Sequence, residues 1–169
     1  MRILAISGSL QAESSNRTLL GIAAALAPIG VELRGFEGIR ELPHFDPDLD
    51  RPEALPAPVE RWRRALSQSD ALLIASPEYG HSLPGVVKNS IEWTISSGEL
   101  RQKIVAITAA VPGPERGRLG LKALRDTLAS VDATIVGGEP IAKGPSFESE
   151  IGALVQALID TAVHRRTTR

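Results

Sequence analysis

Three short apolar runs constrain this chain more than any other feature: "ILAI" (3–6), "ALLIA" (71–75) and "IVAI" (104–107). Each is too short for a helix, shows no alternation with polar residues, and stops at Ser, Thr, Pro or Gly. A strand that is apolar on both faces has to be covered on both faces, as in the centre of a parallel sheet. "VELRGF" (31–36) does alternate, Val31 and Leu33 against Glu32 and Arg34, as a half-exposed edge strand would. "ATIV" (133–136) is a fifth strand candidate.

Helical patterns fill the intervals. Residues 119–131 place Leu121, Leu124, Leu128 and Val131 on one stripe, and 148–165 do the same with Ile151, Leu154, Val155, Leu158, Ile159 and Ala162. Further helices are expected at 16–27, 57–69 and 84–96. The order βαβαβαβαβα implies an α/β fold, a doubly wound parallel sheet with helices on both faces and right-handed crossovers. A chain of 169 residues has the size of one domain, so 1–169 is read as a single domain.

Charge and cysteine content exclude several function classes. Lys and Arg number 19 against 20 Asp and Glu, so nothing steers the molecule toward nucleic acid or an acidic membrane surface. The absence of cysteine removes disulfides, thiolate metal sites and cysteine nucleophiles. The apolar run in "MRILAISGSL" is too short for a signal peptide, and no stretch approaches the roughly 18 apolar residues of a membrane span. A cytoplasmic protein is expected. The scattered histidines (His44, His81, His164) suggest no metal site, and the acidic run 46–53 lacks the spacing and central glycine of a calcium loop.

In a doubly wound sheet ligands bind beyond the carboxyl ends of the strands, where strand order reverses. Three loops fall at that edge: 7–15, 76–83 and 108–118. The first, "SGSLQAESSN" (7–16), offers serine hydroxyls, the Asn16 amide and a helix N-terminus with free backbone N–H groups. Such a helix start suits an anion. The same residues also read as an ordinary N-cap by Ser14 or Ser15 with solvent-facing serines, and the loop alone does not choose. The second, "SPEYGHSLPG" (76–85), is stiffened by Pro77 and Pro84, with Gly80 permitting a positive φ. Pro84 suits a first helical turn. A rigid, amide-lined turn suits a flat heteroaromatic ring, although Tyr79 taken alone reads as a packed aromatic. There is no Gly-x-x-x-x-Gly-Lys-Ser/Thr and no Gly-x-Gly-x-x-Gly, which sets aside P-loop nucleotidases and direct Rossmann dinucleotide binding. A phosphoacceptor receiver would need acids where Ser7 and Ser76 stand.

Together "GSLQAESSNRTLL" (8–20), "SPEYGHSLPGVVKNSIEW" (76–93) and "LPHFDPDLD" (42–50) resemble the NADPH-dependent FMN reductase family, a flavodoxin-like group of flavin, quinone, azo-dye and chromate reductases. The resemblance covers nearly the whole chain and implies strand order 2-1-3-4-5. It implies that Ser9, Ser14 and Asn16, with Gln11 and Ser15 in the same loop, hold an FMN phosphate. Pro77, Glu78, Tyr79 and Gly80 would line the isoalloxazine, and backbone near Ala110 and Gly113 would close over its pyrimidine edge. Two departures stand out: Gln11 replaces an arginine frequent in the family, and Gly80 replaces an asparagine. Arg116 and Arg118 either meet a nicotinamide-dinucleotide phosphate or are solvated.

The implied activity is transfer of hydride from NADPH or NADH to FMN, then to a small acceptor such as a quinone, free flavin, azo compound or chromate, in ping-pong order. The flavin carries that chemistry, so no catalytic side chain is named. His81 is the one candidate proton donor, against its reading as polar turn surface. The resemblance also implies a homodimer or homotetramer, with the segment 37–58, rich in proline, and an exposed Trp93 among the contact elements. Read by itself, 37–58 is a lid, an interface arm or a solvated loop, and "RWRR" (61–64) is a solvated helix face around Trp62. Two other readings stay open at this point: a non-enzymatic electron carrier, against which a net charge of −1 counts, and a flavin-free scaffold.

Overall fold

The computed structural model describes residues 1–167, the side chain of Arg166 apart. Strands and helices alternate: β1 (Arg2–Ser7), α1 (Ser15–Ala25), β2 (Glu32–Gly35), α2 (Ala57–Ser67), β3 (Ala71–Ala75), α3 (Gly85–Glu92), β4 (Ile104–Val111), α4 (Arg118–Ser130), β5 (Thr134–Ala142) and α5 (Phe147–Thr167). All strand pairs are parallel and the order is β2-β1-β3-β4-β5. That is the flavodoxin-like order, with its reversal between β1 and β3.

The continuous apolar runs behave as their composition requires. Successive side chains of a strand point to opposite faces. Leu4, Ile6, Leu72, Ile74, Val105 and Ile107 therefore join one core layer, with Trp62, Leu66, Val87, Ile91, Leu121 and Leu124 from α2, α3 and α4. Ile3, Ala71, Leu73, Ile104 and Ala106 join the other, with Leu19 and Ala23 of α1 and Ile151, Val155 and Leu158 of α5. Fully burying one such Leu or Ile contributes roughly 1.5–3 kcal/mol over leaving it in water. The edge strand β2 is the exposed one, as its alternation implies.

Two strands run further than their apolar runs. β4 continues through Thr108 to Val111, and its residues 109–111 pair with 140–142 of β5 beyond an irregularity. β5 passes through Gly137, Gly138, Glu139 and Pro140, a sequence that reads as a turn. Gly137 and Gly138 have φ of 68° and 108°, so the strand bulges there. A Cβ on Gly137 would lie 2.5 Å from Leu154 Cδ1, while Arg125 donates to the Gly137 carbonyl at 2.7 Å. Pro140 is tolerated because β5 is an edge strand.

The proline-rich segment is packed against the helices over part of its length, while 46–48 and 51–53 stay exposed. It opens with a 3₁₀ turn at Glu37–Glu41 and then runs as a strap along α2 and α3. Asn89 holds it twice, accepting from Phe45 N–H at 2.8 Å and donating to Pro43 O at 2.9 Å. Trp93, expected to be exposed, is completely buried, because its indole N–H donates to the same Pro43 carbonyl at 2.8 Å and Phe45 packs edge-on against its ring. The reading of 61–64 as a solvated face also needs correcting. Trp62 is buried with its N–H on Ser90 O, and Arg63 binds Asp50 at 2.6 Å and Trp93 O at 2.8 Å. Only Arg61 and Arg64 of that run form exposed pairs, with Glu41 and Glu60. Burial raises the pKa of Asp50, but the Ser96 hydroxyl and the Arg63 guanidinium outweigh it and hold the carboxyl below its ordinary value.

Candidate functional site

The three loops meet where the topology puts them. Ser7 of β1 is level with Ala75 of β3, and Ala75 with Thr108 of β4, so the chain leaves adjacent strands side by side. Gly8 N–H donates to Ala75 O at 2.8 Å, which binds the first loop to the third strand. A Cβ on Gly8 would lie 2.8 Å from Val87 Cγ2 and 2.9 Å from Ser76 Oγ, so the residue type is fixed by that close approach.

Between Gly8 and Ser15 the chain folds over its own hydroxyls. Ser9 is buried, and its Oγ accepts from Gln11 N–H at 3.3 Å; Ser9 N–H donates to Ser7 Oγ at 3.2 Å. Ser14 is the N-cap of α1, accepting from Asn16 N–H at 3.2 Å. The backbone N–H groups of Leu10, Ala12, Glu13, Ser14 and Ser15 have no acceptor among the described residues. Uncommitted N–H donors ahead of a helix N-terminus form a candidate anion cradle. Gln11 lies exposed on its rim. The Asn16 side chain is oriented differently from a simple phosphate ligand: its Oδ1 accepts from Ala110 N–H at 2.9 Å, tying α1 to β4. Only its amide N–H groups remain to face a ligand. Ala110, expected in a loop, is a β4 residue with its N–H committed to that bond.

The turn after β3 is fixed at several points. Tyr79 and Ser82 exchange two backbone hydrogen bonds, 3.0 and 3.1 Å, around Gly80 and His81. Both central residues have positive φ, 57° and 59°, the signature of a type I′ turn. Glycine or asparagine suits the first of these positions, which explains Gly80. Pro84 falls at the N-cap of α3 and not in its first turn; its carbonyl accepts from Val87 and Lys88 N–H. Pro77 precedes the turn, half-buried, and Tyr79 at its tip is 56% exposed. Leu10 and Leu119, in the neighbouring loop and at the start of α4, are also exposed at this edge. With Tyr79 they make the carboxyl edge of the sheet a candidate apolar shelf.

Glu78 has a role that the sequence does not announce. Its Oε2 accepts from Gly120 N–H at 2.9 Å, capping α4 from outside the helix. Gly120 is required there: a Cβ would lie 2.9 Å from Glu78 Cβ, 3.0 Å from its Cα and 3.1 Å from Ser82 O. The carboxylate thus locks the turn onto α4, whose own N-cap, Gly117, offers no side chain. No local motif signals a bond across 42 residues. His81 lies 3.5 Å from Glu78 Oε1 with its ring largely in solvent. In the loop after β4, Arg116 N–H closes a turn onto Gly113 O at 3.1 Å, and Arg118 approaches Glu139 at 3.4 Å and Glu115 at 3.9 Å.

No helix among the described residues is long and apolar enough to cross a membrane. The family model for NADPH-dependent FMN reductase matches residues 1–145. An NAD(P)H-dependent FMN reductase of Pseudomonas aeruginosa is 38% identical over 138 residues, 78% of this chain and 71% of its own. A quinone reductase of Escherichia coli K12 is 28% identical over 162 residues, 95% and 86% of the two chains. Among solved structures, the flavoenzyme NAD(P)H:(acceptor) oxidoreductase FerB of Paracoccus denitrificans superposes with a TM-score of 0.84 at 24% identity, covering 96% of this chain and 97% of that one. With the cradle, the shelf and the strand order already in place, the match over 1–145 is decisive: the chain belongs to the NADPH-dependent FMN reductase family, oxidoreductases that use FMN and NAD(P)H.

Proposed function

We propose that this chain is a single-domain FMN-dependent oxidoreductase that passes reducing equivalents from NAD(P)H to a small acceptor in ping-pong order. The observation that carries the reading is the set of five unpartnered N–H groups between Leu10 and Ser15, beside buried Ser9 and Ser14 and next to an open apolar shelf. An FMN phosphate fits the cradle, with the Ser9, Ser14 and Ser15 hydroxyls, the Asn16 amide and the rim residue Gln11 around it. The isoalloxazine fits along Pro77, Glu78, Tyr79 and Gly80. At the pyrimidine edge Gly113 is the better donor, because Ala110 N–H already serves Asn16.

FMN, when bound, would supply the two-electron redox chemistry between NAD(P)H and the acceptor. The residues of this chain hold the phosphate, keep the ring against a rigid wall and leave one face open for donor and acceptor in turn. Exposed Tyr79, Leu10 and Leu119 would leave apolar surface in water, which favours a homodimer or homotetramer closing over the shelf. A quinone, a free flavin, an azo compound or chromate fits an open face of this kind. The test is an absorbance spectrum after FMN addition and desalting, followed by anaerobic NADPH. Retained flavin absorbance that bleaches supports the reading. Retained absorbance that NADPH leaves unchanged would make the chain a carrier, and loss of flavin on desalting would make FMN a passing substrate or the chain a scaffold.

A further inference from the structure

We infer that Arg40 is the counter-ion of the FMN phosphate, a role that rests on the cradle reading above and that no residue of the loop itself can fill. The loop from Ser7 to Asn16 contains no lysine or arginine, and its one ionisable residue, Glu13, carries the wrong sign. A phosphate monoester brings a charge of about −1.5 to −2 at neutral pH. Neutral N–H groups and a helix end hold it less firmly than they would with a guanidinium beside them.

The fold delivers one. β2 pairs with β1, so the segment leaving β2 emerges next to the loop leaving β1. The 3₁₀ turn at 37–41 is seated there by buried Ile39. From it Arg40 reaches the loop, its Nη2 donating to Leu10 O at 2.7 Å. Arg17, on the first turn of α1, already has a carboxylate partner: its Nη1 lies 3.0 Å from Glu37 Oε2, although its buried Nε has none, and it lines a cavity between α1 and β2 of about 280 Å³. Arg40 has no carboxylate within ion-pair distance among the described residues. Among the described residues it is the guanidinium that hydrogen-bonds the cradle loop without a carboxylate partner, and only its Nη2 is committed to Leu10.

The test compares FMN with riboflavin, which differs only in lacking the phosphate. The full chain, freed of flavin, is titrated with each while flavin fluorescence is followed, for the wild type, Arg40→Met and Arg40→Lys. Arg40→Met is expected to weaken FMN about tenfold, leave riboflavin unchanged, and flatten the salt dependence of FMN binding. Arg40→Lys should restore most of the loss. Circular dichroism checks the fold; should Arg40→Met fail it, Arg40→Gln replaces it, since the residue is exposed and both substitutions keep its stem. An FMN preference in the wild type that survives Arg40→Met overturns the role of Arg40 alone. Equal weakening of both flavins also overturns it, since Arg40 would then only prop the Leu10 carbonyl. A wild type that binds FMN no better than riboflavin overturns the phosphate cradle as well.

Discussion

The two walls of the site are built in opposite ways. The turn 76–84 is over-determined: two reciprocal backbone bonds, two prolines that fix φ, and a carboxylate anchored on α4 all specify the same shape. The loop 7–16 is held within itself by bonds of 3.2–3.3 Å and leaves five N–H groups without an acceptor among the described residues. A surface for a flat ring has to be rigid before the ring arrives, whereas a cradle for an anion has to keep its donors uncommitted. On the proposed reading the fold satisfies both, because each loop leaves a central strand whose position the core already fixes. If this contrast is right, damage to the turn should affect the binding of any flavin, and damage to the loop should affect only a flavin that carries a phosphate.

The largest effect is expected at the joint between the turn and α4. Gly120→Ala puts a methyl within about 3 Å of two Glu78 atoms and the Ser82 carbonyl. Two of those three atoms are backbone and cannot rotate away, so α4 or the turn has to move. Overpacking of this kind costs roughly 1–3 kcal/mol. Urea denaturation should show that loss, and titrations should show FMN and riboflavin weakened alike. Glu78→Ala attacks the same joint from the other side, removing the cap and leaving Gly120 N–H without its partner, at a cost of about 1 kcal/mol. Should riboflavin bind these variants normally, the turn is not the ring's wall.

These joints also mark where the sequence stops being readable. β1, β3 and the start of β4 are legible because a strand buried on both faces must be continuously apolar, and few other structures produce such runs. The helices follow from their stripes, and the positions of the three loops follow from topology alone. By contrast, Gly137 to Pro140 spells a turn yet forms a bulged edge strand, because an unpaired edge needs no Pro140 N–H. Asn89, Trp93 and Arg63 look like surface residues of their helices until the strap is laid over them, and that contact joins residues 13 to 50 positions apart. Glu78 to Gly120 and Arg40 to Leu10 are likewise unions of distant segments, which periodicity cannot detect.

A smaller, more selective effect is expected at the cradle. Ser14→Ala removes the N-cap of α1, whose loss costs about 1 kcal/mol, and one hydroxyl of the proposed phosphate site. FMN affinity should fall several-fold while riboflavin affinity stays within twofold. A variant that loses both flavins equally would show that Ser14 acts through the fold and not through the phosphate, and the contrast between the two walls would fail on the loop side.

The smallest effect is expected at the tip of the turn, where the two demands on His81 can be separated. Its φ of 59° is unfavourable for a residue with a side chain, by roughly 1–2 kcal/mol, and His81→Gly relieves that strain. Glycine also loses more conformational freedom on folding, roughly 0.5–1 kcal/mol, so the two terms nearly cancel. Little packing is lost, because the imidazole is largely in solvent and reaches no closer than 3.5 Å to Glu78. Stability should therefore change by less than about 1 kcal/mol in thermal melts, with flavin affinity unchanged. Stopped-flow reduction of the bound flavin by NADPH should also proceed at the wild-type rate, since hydride delivery needs no proton from this ring. A slow reductive step in a variant that is as stable as the wild type and holds flavin as well would give the imidazole a part in the chemistry. Slow reoxidation by the acceptor alone, with reduction intact, would confine that part to delivering a proton to the acceptor.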